Sequence, residues 1–306
     1  ASTGRGCAFN HNGTRLAVAH VSSPYITIYD TTTTPYTKLS NPTTRPASDG
    51  HGCAFNHNGT RLAVAHDSSP YITIYDTTTT PYTKLSNPTT LPGDAYAYAY
   101  GCAFNHDGTR LAVAHNLSPY ITIYDTTTTP YTKLSNPTTL PPNYAYGCAF
   151  NHNGTRLAVA HDSSPYITIY DTTTTPYTKL SNPTTLPAST GRGCAFNHDG
   201  TRLAVAHYSS PYITIYDTTT TPYTKLSNPT TLPASTAYGC AFSHDGVRLA
   251  VAHEGSPYIT AYGVLYGTPL AYKANNLLSG LAGRYGYAKE NISLSAIGKV
   301  DVLFEA

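Results

Sequence analysis

The sequence predicts an all-β fold, a six-bladed β-propeller of four-stranded blades. Three observations carry this: a unit of about 46 residues recurs six times, each unit holds four short runs of strand composition, and nothing helical separates them. The cysteines Cys7, Cys53, Cys102, Cys148, Cys194 and Cys240, spaced 46, 49, 46, 46 and 46 residues apart, each open one copy. A β-helix coil is shorter, ankyrin and tetratricopeptide units need helices, and a sandwich does not repeat its own sequence.

Within the first copy, Cys7 to Asn10 is the predicted first strand, followed by His11-Asn12-Gly13-Thr14. Asn-Gly or Asp-Gly at this point predicts a type I′ hairpin turn, in which both central residues take positive φ. Arg15 to His20 is the second strand, Tyr25 to Asp30 the third and Tyr36 to Ser40 the fourth, which Asn41-Pro42 ends. Pro24 and Pro35 fall at strand starts, where a missing backbone donor costs least. The block SPYITIYDTTTTPYTKLSNPTT recurs letter for letter in five copies, from Ser23, Ser69, Ser118, Ser164 and Ser210.

The sixth copy departs after Tyr262, and Gly263 to Lys273 is read as its outer strand. The domain reading is a propeller over 1–276 and a C-terminal β segment over 277–306, with three further strands in the segment. Seven blades with a degenerate last one is the alternative, because Tyr287 follows Cys240 by 47 residues, close to the period. Residues 1–6 are too short to supply an outer strand, so the usual clasp between first and last blades must be replaced. Either the tail covers that seam or the ring opens onto another subunit.

The run Phe9-Asn10-His11-Asn12-Gly13-Thr14-Arg15-Leu16-Ala17 resembles the first hairpin of a WD40 repeat, and Ile26-Thr27-Ile28-Tyr29-Asp30 its third strand with Tyr-Asp in place of Trp-Asp. The likeness covers residues 1 to about 262. It departs from the family in having no Trp, and Gly50-His51 is the one trace of the family's Gly-His pair. More narrowly, LAVAH-x-x-SPYITIY resembles WD40-like repeat proteins of bacteriophage and prophage virions, which implies a virion or extracellular location; the bacterial cytoplasm is the alternative.

Composition narrows the function. Asp, Glu, Lys and Arg make up only 11% of the chain, against roughly 25% in an average soluble protein. A net charge of +2 offers nothing for nucleic acid or an anionic membrane to read. No stretch reaches 18 apolar residues, and Ala1-Ser2-Thr3-Gly4-Arg5 lacks the pattern of a secretory signal, so no membrane insertion is expected.

The repeated chemistry reads as structural. Equivalent cysteines on the innermost strands sit too far apart for disulfides and read as buried free thiols; without a C-x-x-C pair, zinc is not expected. Two six-membered histidine sets, His11, His57, His106, His152, His198, His244 and His20, His66, His115, His161, His207, His253, are expected at the blade periphery with diverging side chains, so no metal or other cofactor is assigned. Near-identical blades place the same residue in the same environment repeatedly, which opposes a catalytic triad or an acid/base pair. Asp30, Asp76, Asp125, Asp171 and Asp217 read as turn elements, and the tail acids Glu290, Asp301 and Glu305 have no nucleophile at a diagnostic spacing. The expectation is no enzyme.

The informative signal is where copies differ. Loops joining strands one to two and three to four, NH[ND]GT and TTTTP, are nearly invariant, whereas those joining two to three, and one blade to the next, vary and are expected on the opposite face. The candidate binding residues are Val21, Asp67, Asn116, Asp162, Tyr208 and Glu254 after the second strand, with His51, Tyr96, Tyr98, Tyr100, Tyr144, Tyr146, Arg192 and Tyr238 between blades. Tyr supplies contact area and a hydroxyl at low entropic cost. In YAYAY, alternation places Tyr96, Tyr98 and Tyr100 on one side of an extended segment. Tight-turn chemistry accounts for the constancy of NHNGT but not of TTTTP, which favours one-sided recognition.

The expected function is a non-enzymatic structural and binding propeller, a tail or collar appendage of a phage virion, whose variable face meets a host surface receptor or another virion protein. A homo-oligomer through the C-terminal segment is the other partner considered. The alternatives are a bacterial protein-protein interaction scaffold and a multivalent glycan-binding propeller.

Overall fold

The computed structural model describes residues 3–93 and 97–263. Ala1–Tyr262 forms one compact unit. The expected outer strand after Gly263, the boundary at 276/277, the three tail strands, the seventh blade and the seam cover all lie outside the described residues, as does Tyr96.

Six antiparallel sheets form, each a meander of consecutive strands, five of them four-stranded and the last three-stranded among the described residues. In blade 1 the inner strand is Gly4–Phe9, the second Arg15–His20, the third Ile26–Asp30 and the outer Thr37–Lys38. The inner strand begins earlier than Cys7, and the outer one is shorter than Tyr36 to Ser40. Tyr25 does not start the third strand: its φ is 68°, a left-handed conformation repeated at the equivalent Tyr of every blade.

The first turn is also not type I′. Of its residues only Gly13 has positive φ, Gly13 N donates to Asn10 O at 3.0 Å, and Asn10 Oδ1 accepts from Arg15 N at 2.9 Å. The loop is a β-turn closed by a left-handed glycine, two residues longer than the I′ geometry requires.

Blades pack by strand alternation. On the second and third strands, Ala17, Ala19, Ile26 and Ile28 face one way, and they meet Leu62, Val64, Tyr75 and Tyr82 of blade 2. The same small-against-large interface recurs between blades 2 and 3, 3 and 4, and 4 and 5. Each interface is also bonded: Tyr75 OH donates to Thr44 O at 2.8 Å, Thr43 N to Tyr82 O at 3.1 Å, and Cys53 Sγ to Ala17 O at 3.6 Å.

Glycine before each cysteine allows neighbouring inner strands to approach closely. A Cβ on Gly52, Gly101 or Gly193 would lie 2.8–2.9 Å from a carbonyl oxygen of the next blade, whereas one on Gly239 would meet nothing. This places the wide step between blades 6 and 1. There Phe9 is 42% and Ile259 61% exposed, and Tyr36 is 43% exposed where its equivalent Tyr82 is 4%. All four strands of blade 1 come from the N-terminal segment, so no clasp strand joins it among the described residues.

Candidate binding face and central channel

The inner strand alternates, and one side of it, Arg5, Cys7, Phe9 and then His11 of the turn, faces the axis with its equivalents from the other blades. At one end of the channel Arg5, His51, Tyr146, Arg192 and Tyr238 surround a cavity of about 190 Å³ floored by the cysteines. At the other, six Phe and six His surround one of about 340 Å³.

The thiols donate to alanine carbonyls of the preceding blade, from Cys53 to Cys240, at 3.6–3.7 Å. All six cysteines are free, and burial pushes Cys102 and Cys240 up to about 12. Exposure differs from the expected buried thiols: Cys53, Cys102, Cys148, Cys194 and Cys240 are half-buried, and Cys7 stands exposed at the wide step.

The varied loops do share one end. In blades 1 and 3 to 6, backbone bonds join the second-to-third-strand loop to the segment entering the same blade's inner strand: Val21 N to Thr3 O, Asn116 N to Tyr98 O, Asp162 N to Tyr144 O, Tyr208 N to Thr190 O, Glu254 N to Thr236 O. Five side chains around the channel mouth touch in sequence. Arg5 Nη1 donates to His51 Nδ1 at 2.8 Å, which leaves His51 Nε2 to donate to Asp67 Oδ1. The His51 ring meets Tyr100 edge-on at 5.4 Å, Tyr100 lies 5.1 Å from Tyr146, and the Arg192 guanidinium sits 4.4 Å over the Tyr146 ring.

Burial lowers the His51 pKa against the opposing pull of Asp67, and burial raises Tyr100 to about 12, so at neutral pH this mouth presents neutral hydroxyls beside two guanidinium groups. Arg192 has no ion pair among the described residues, and its Nε is buried without a hydrogen-bond partner.

The other sequence candidates divide by exposure. Tyr98, Tyr144, Tyr208 and Tyr238 are exposed rings, and Glu254 is exposed, while Val21 is half-buried. Ala97 and Ala99 are buried, so Tyr98 and Tyr100 share the outward side of their segment as alternation predicts. Asn116 is buried and its Oδ1 accepts from Tyr98 N at 2.7 Å; Asp162 Oδ1 accepts from Thr190 Oγ1 at 3.0 Å. Both therefore brace the loops. Arg5 was missed by sequence reasoning, although it occupies the same G-x-G-C position as His51 and Arg192.

The constant end corrects two expectations. The threonines of TTTTP have structural work: Thr31 Oγ1 donates to Gly13 O, Thr32 N and Oγ1 donate to Asp30 Oδ1 at 2.9 and 2.6 Å, and Thr33 Oγ1 donates to Pro35 O at 3.4 Å. Thr32 thereby holds Asp30 below the usual carboxylate range, while Arg15 pairs with its other oxygen at 3.1 Å. Folding thus accounts for the constancy of TTTTP.

The turn histidines, moreover, do not diverge at the periphery. They stand around the axis, with centroids 3.7, 3.8, 3.9, 3.9 and 4.4 Å apart from His11 through His244, and 5.9 Å from His244 back to His11. The turn lies at the end of the innermost strand, which brings six copies together at the narrowest radius. Burial and mutual repulsion hold His57, His152 and His198 below their ordinary pKa.

The second histidine set is structural: His66 Nε2 and Thr73 Oγ1 lie 2.9 Å apart, with the same pair in each blade.

No protein-family model and no curated protein sequence matches the chain. Among solved structures, hydrazine synthase of Kuenenia stuttgartiensis is similar in fold, with a TM-score of 0.69 at 17% identity over 92% of this chain and 85% of that one.

Proposed function

We propose that the chain is a non-enzymatic binding propeller that recognises a macromolecular partner through the mouth formed by Arg5, His51, Tyr100, Tyr146, Arg192 and Tyr238 and the loops around it. A binding or scaffold role accords with the fold. The observation that carries the finer reading is that six equivalent positions, held on near-identical strands around one axis, bear two Arg, one His and three Tyr, while the equivalent positions at the other end are all His. Such a mouth favours a partner that offers carboxylates or carbonyls to the guanidinium and hydroxyl groups and an apolar face to the rings. Placement on a phage virion, with a host surface receptor or another virion protein as partner, is supported by the resemblance of LAVAH-x-x-SPYITIY alone.

Selection of peptides from a displayed library against the immobilised full chain tests the mouth. Selected peptides should lose about 2 kcal/mol or more against Tyr100→Ser combined with Tyr146→Ser and Arg192→Ala, as expected for aromatic and arginine hot spots. They should bind unchanged to Thr80→Ala combined with Thr129→Ala at the other end. Equal losses from both would refute one-sided recognition. Antibody raised against the chain should label purified virions of the source strain; label confined to cytosol would remove the virion placement.

A further inference from the structure

We propose that the ring of His11, His57, His106, His152, His198 and His244 is a binding site for one borderline divalent transition-metal ion, of the Ni²⁺, Zn²⁺ or Cu²⁺ class, held by imidazole nitrogens at the constant end of the channel. This site lies at the opposite end from the proposed recognition mouth and does not depend on it.

Two independent observations support it. The first is geometric: five consecutive ring pairs approach to 3.7–4.4 Å between centroids. Two imidazoles bound cis to one ion, with nitrogen bonds of about 2.0–2.1 Å, hold their ring centroids roughly 4.5 Å apart, so His198 and His244 at 4.4 Å are spaced to share one while the tighter pairs must open. As placed, no three His, Cys, Asp or Glu side chains among the described residues converge on a metal point. Convergence of a third imidazole takes rotation about χ1 and χ2, which these solvent-facing side chains at an open mouth can make between ordinary rotamers.

The second is that hydrogen bonding gives these imidazoles no role in the turn. The turn is closed by Asn10, Gly13, Thr14 and Arg15, and no hydrogen bond joins these imidazoles to protein among the described residues. In the sixth copy the turn reads Ser243-His244-Asp245-Gly246-Val247, so both flanking hydrogen-bonding positions have changed and the histidine stays. Neutral imidazole suits Ni²⁺, Zn²⁺ and Cu²⁺ and is a poor ligand set for Mg²⁺ or Ca²⁺.

The test uses the full chain, untagged and stripped with chelator, titrated with NiCl₂ by calorimetry. One ion per chain is expected. His57→Gln combined with His106→Gln and His152→Gln should weaken binding at least tenfold, while His51→Gln at the other mouth should leave it unchanged. Loading the unmodified chain with Cu²⁺ and recording electron paramagnetic resonance gives a readout free of folding effects, and splitting from at least two imidazole nitrogens is expected. No saturable binding, an unchanged affinity in the triple variant, or a Cu²⁺ spectrum without nitrogen splitting would overturn the assignment.

Discussion

Mild acid is expected to remove most of the propeller's stability, and the cause is the histidine set away from the axis. His66, His115, His161 and His207 end the second strands of blades 2 to 5, fully enclosed, and burial lowers each pKa from 6.5 to about 4. The folded value lies below the unfolded one, so between about pH 6.5 and 4 the unfolded chain binds more protons; stability is complete above this window and falls as pH drops through it. At about pH 5 the unfolded imidazole is nearly all charged and the folded one nearly neutral, a loss of about 2 kcal/mol per histidine and roughly 8 kcal/mol for the four. That is comparable with the whole stability of a domain, about 5–15 kcal/mol. The turn carboxylates stay out of this window: Thr78 and its equivalents hold Asp76 and its counterparts below the ordinary 3.8, so their contribution is lost only in stronger acid. Urea midpoints followed by circular dichroism at about pH 7.5 and pH 5 measure the difference. His115→Gln should remove about a quarter of the pH dependence attributed to the four histidines. Equal midpoints at the two pH values would show that these histidines are not held neutral, and would refute the reasoning.

Three further outcomes are expected. Tyr124→Phe removes the hydroxyl that donates to Thr90 O at 2.8 Å across two blades and should cost about 1 kcal/mol in chemical denaturation. Gly101→Ala brings a Cβ to 2.9 Å from Tyr146 O and should cost about 1–3 kcal/mol, whereas Gly239→Ala meets nothing and should melt like the parent; equal effects would contradict the wide step between blades 6 and 1. With a thiol reagent in native buffer, Cys7 should react first, ahead of the five half-buried cysteines, because Cys7 alone is exposed.

The repeat period, the strand composition and the turn residues made the six blades legible, since each blade is built from local alternation. Leu16 and Val18 against Ala17 and Ala19 already encode which face meets which neighbour. The division of loops between two ends was legible for the same reason. What the sequence did not convey was radius. Nothing in His11-Asn12-Gly13 distinguishes a turn at the rim from one at the axis, and only the close approach permitted by glycines such as Gly52 and Gly101 brings the six imidazoles together. Arg5, by contrast, was legible, because residues 1–5 read ASTGR as residues 188–192 do and so repeat Arg192. The constancy of TTTTP was misread because the bond from Thr31 to Gly13 O spans 18 residues and joins two different turns.

Amide hydrogen exchange of the full chain, with and without a peptide selected on it, tests the recognition mouth most directly. New protection is predicted at the starts of the inner strands, around Arg5, Tyr100, Tyr146 and Arg192, and in the second-to-third-strand loops beside them, with the turns at His57 to Thr60 and Thr77 to Thr80 unchanged. Protection that falls on those turns, or equally on both ends, would contradict the assignment of recognition to one face.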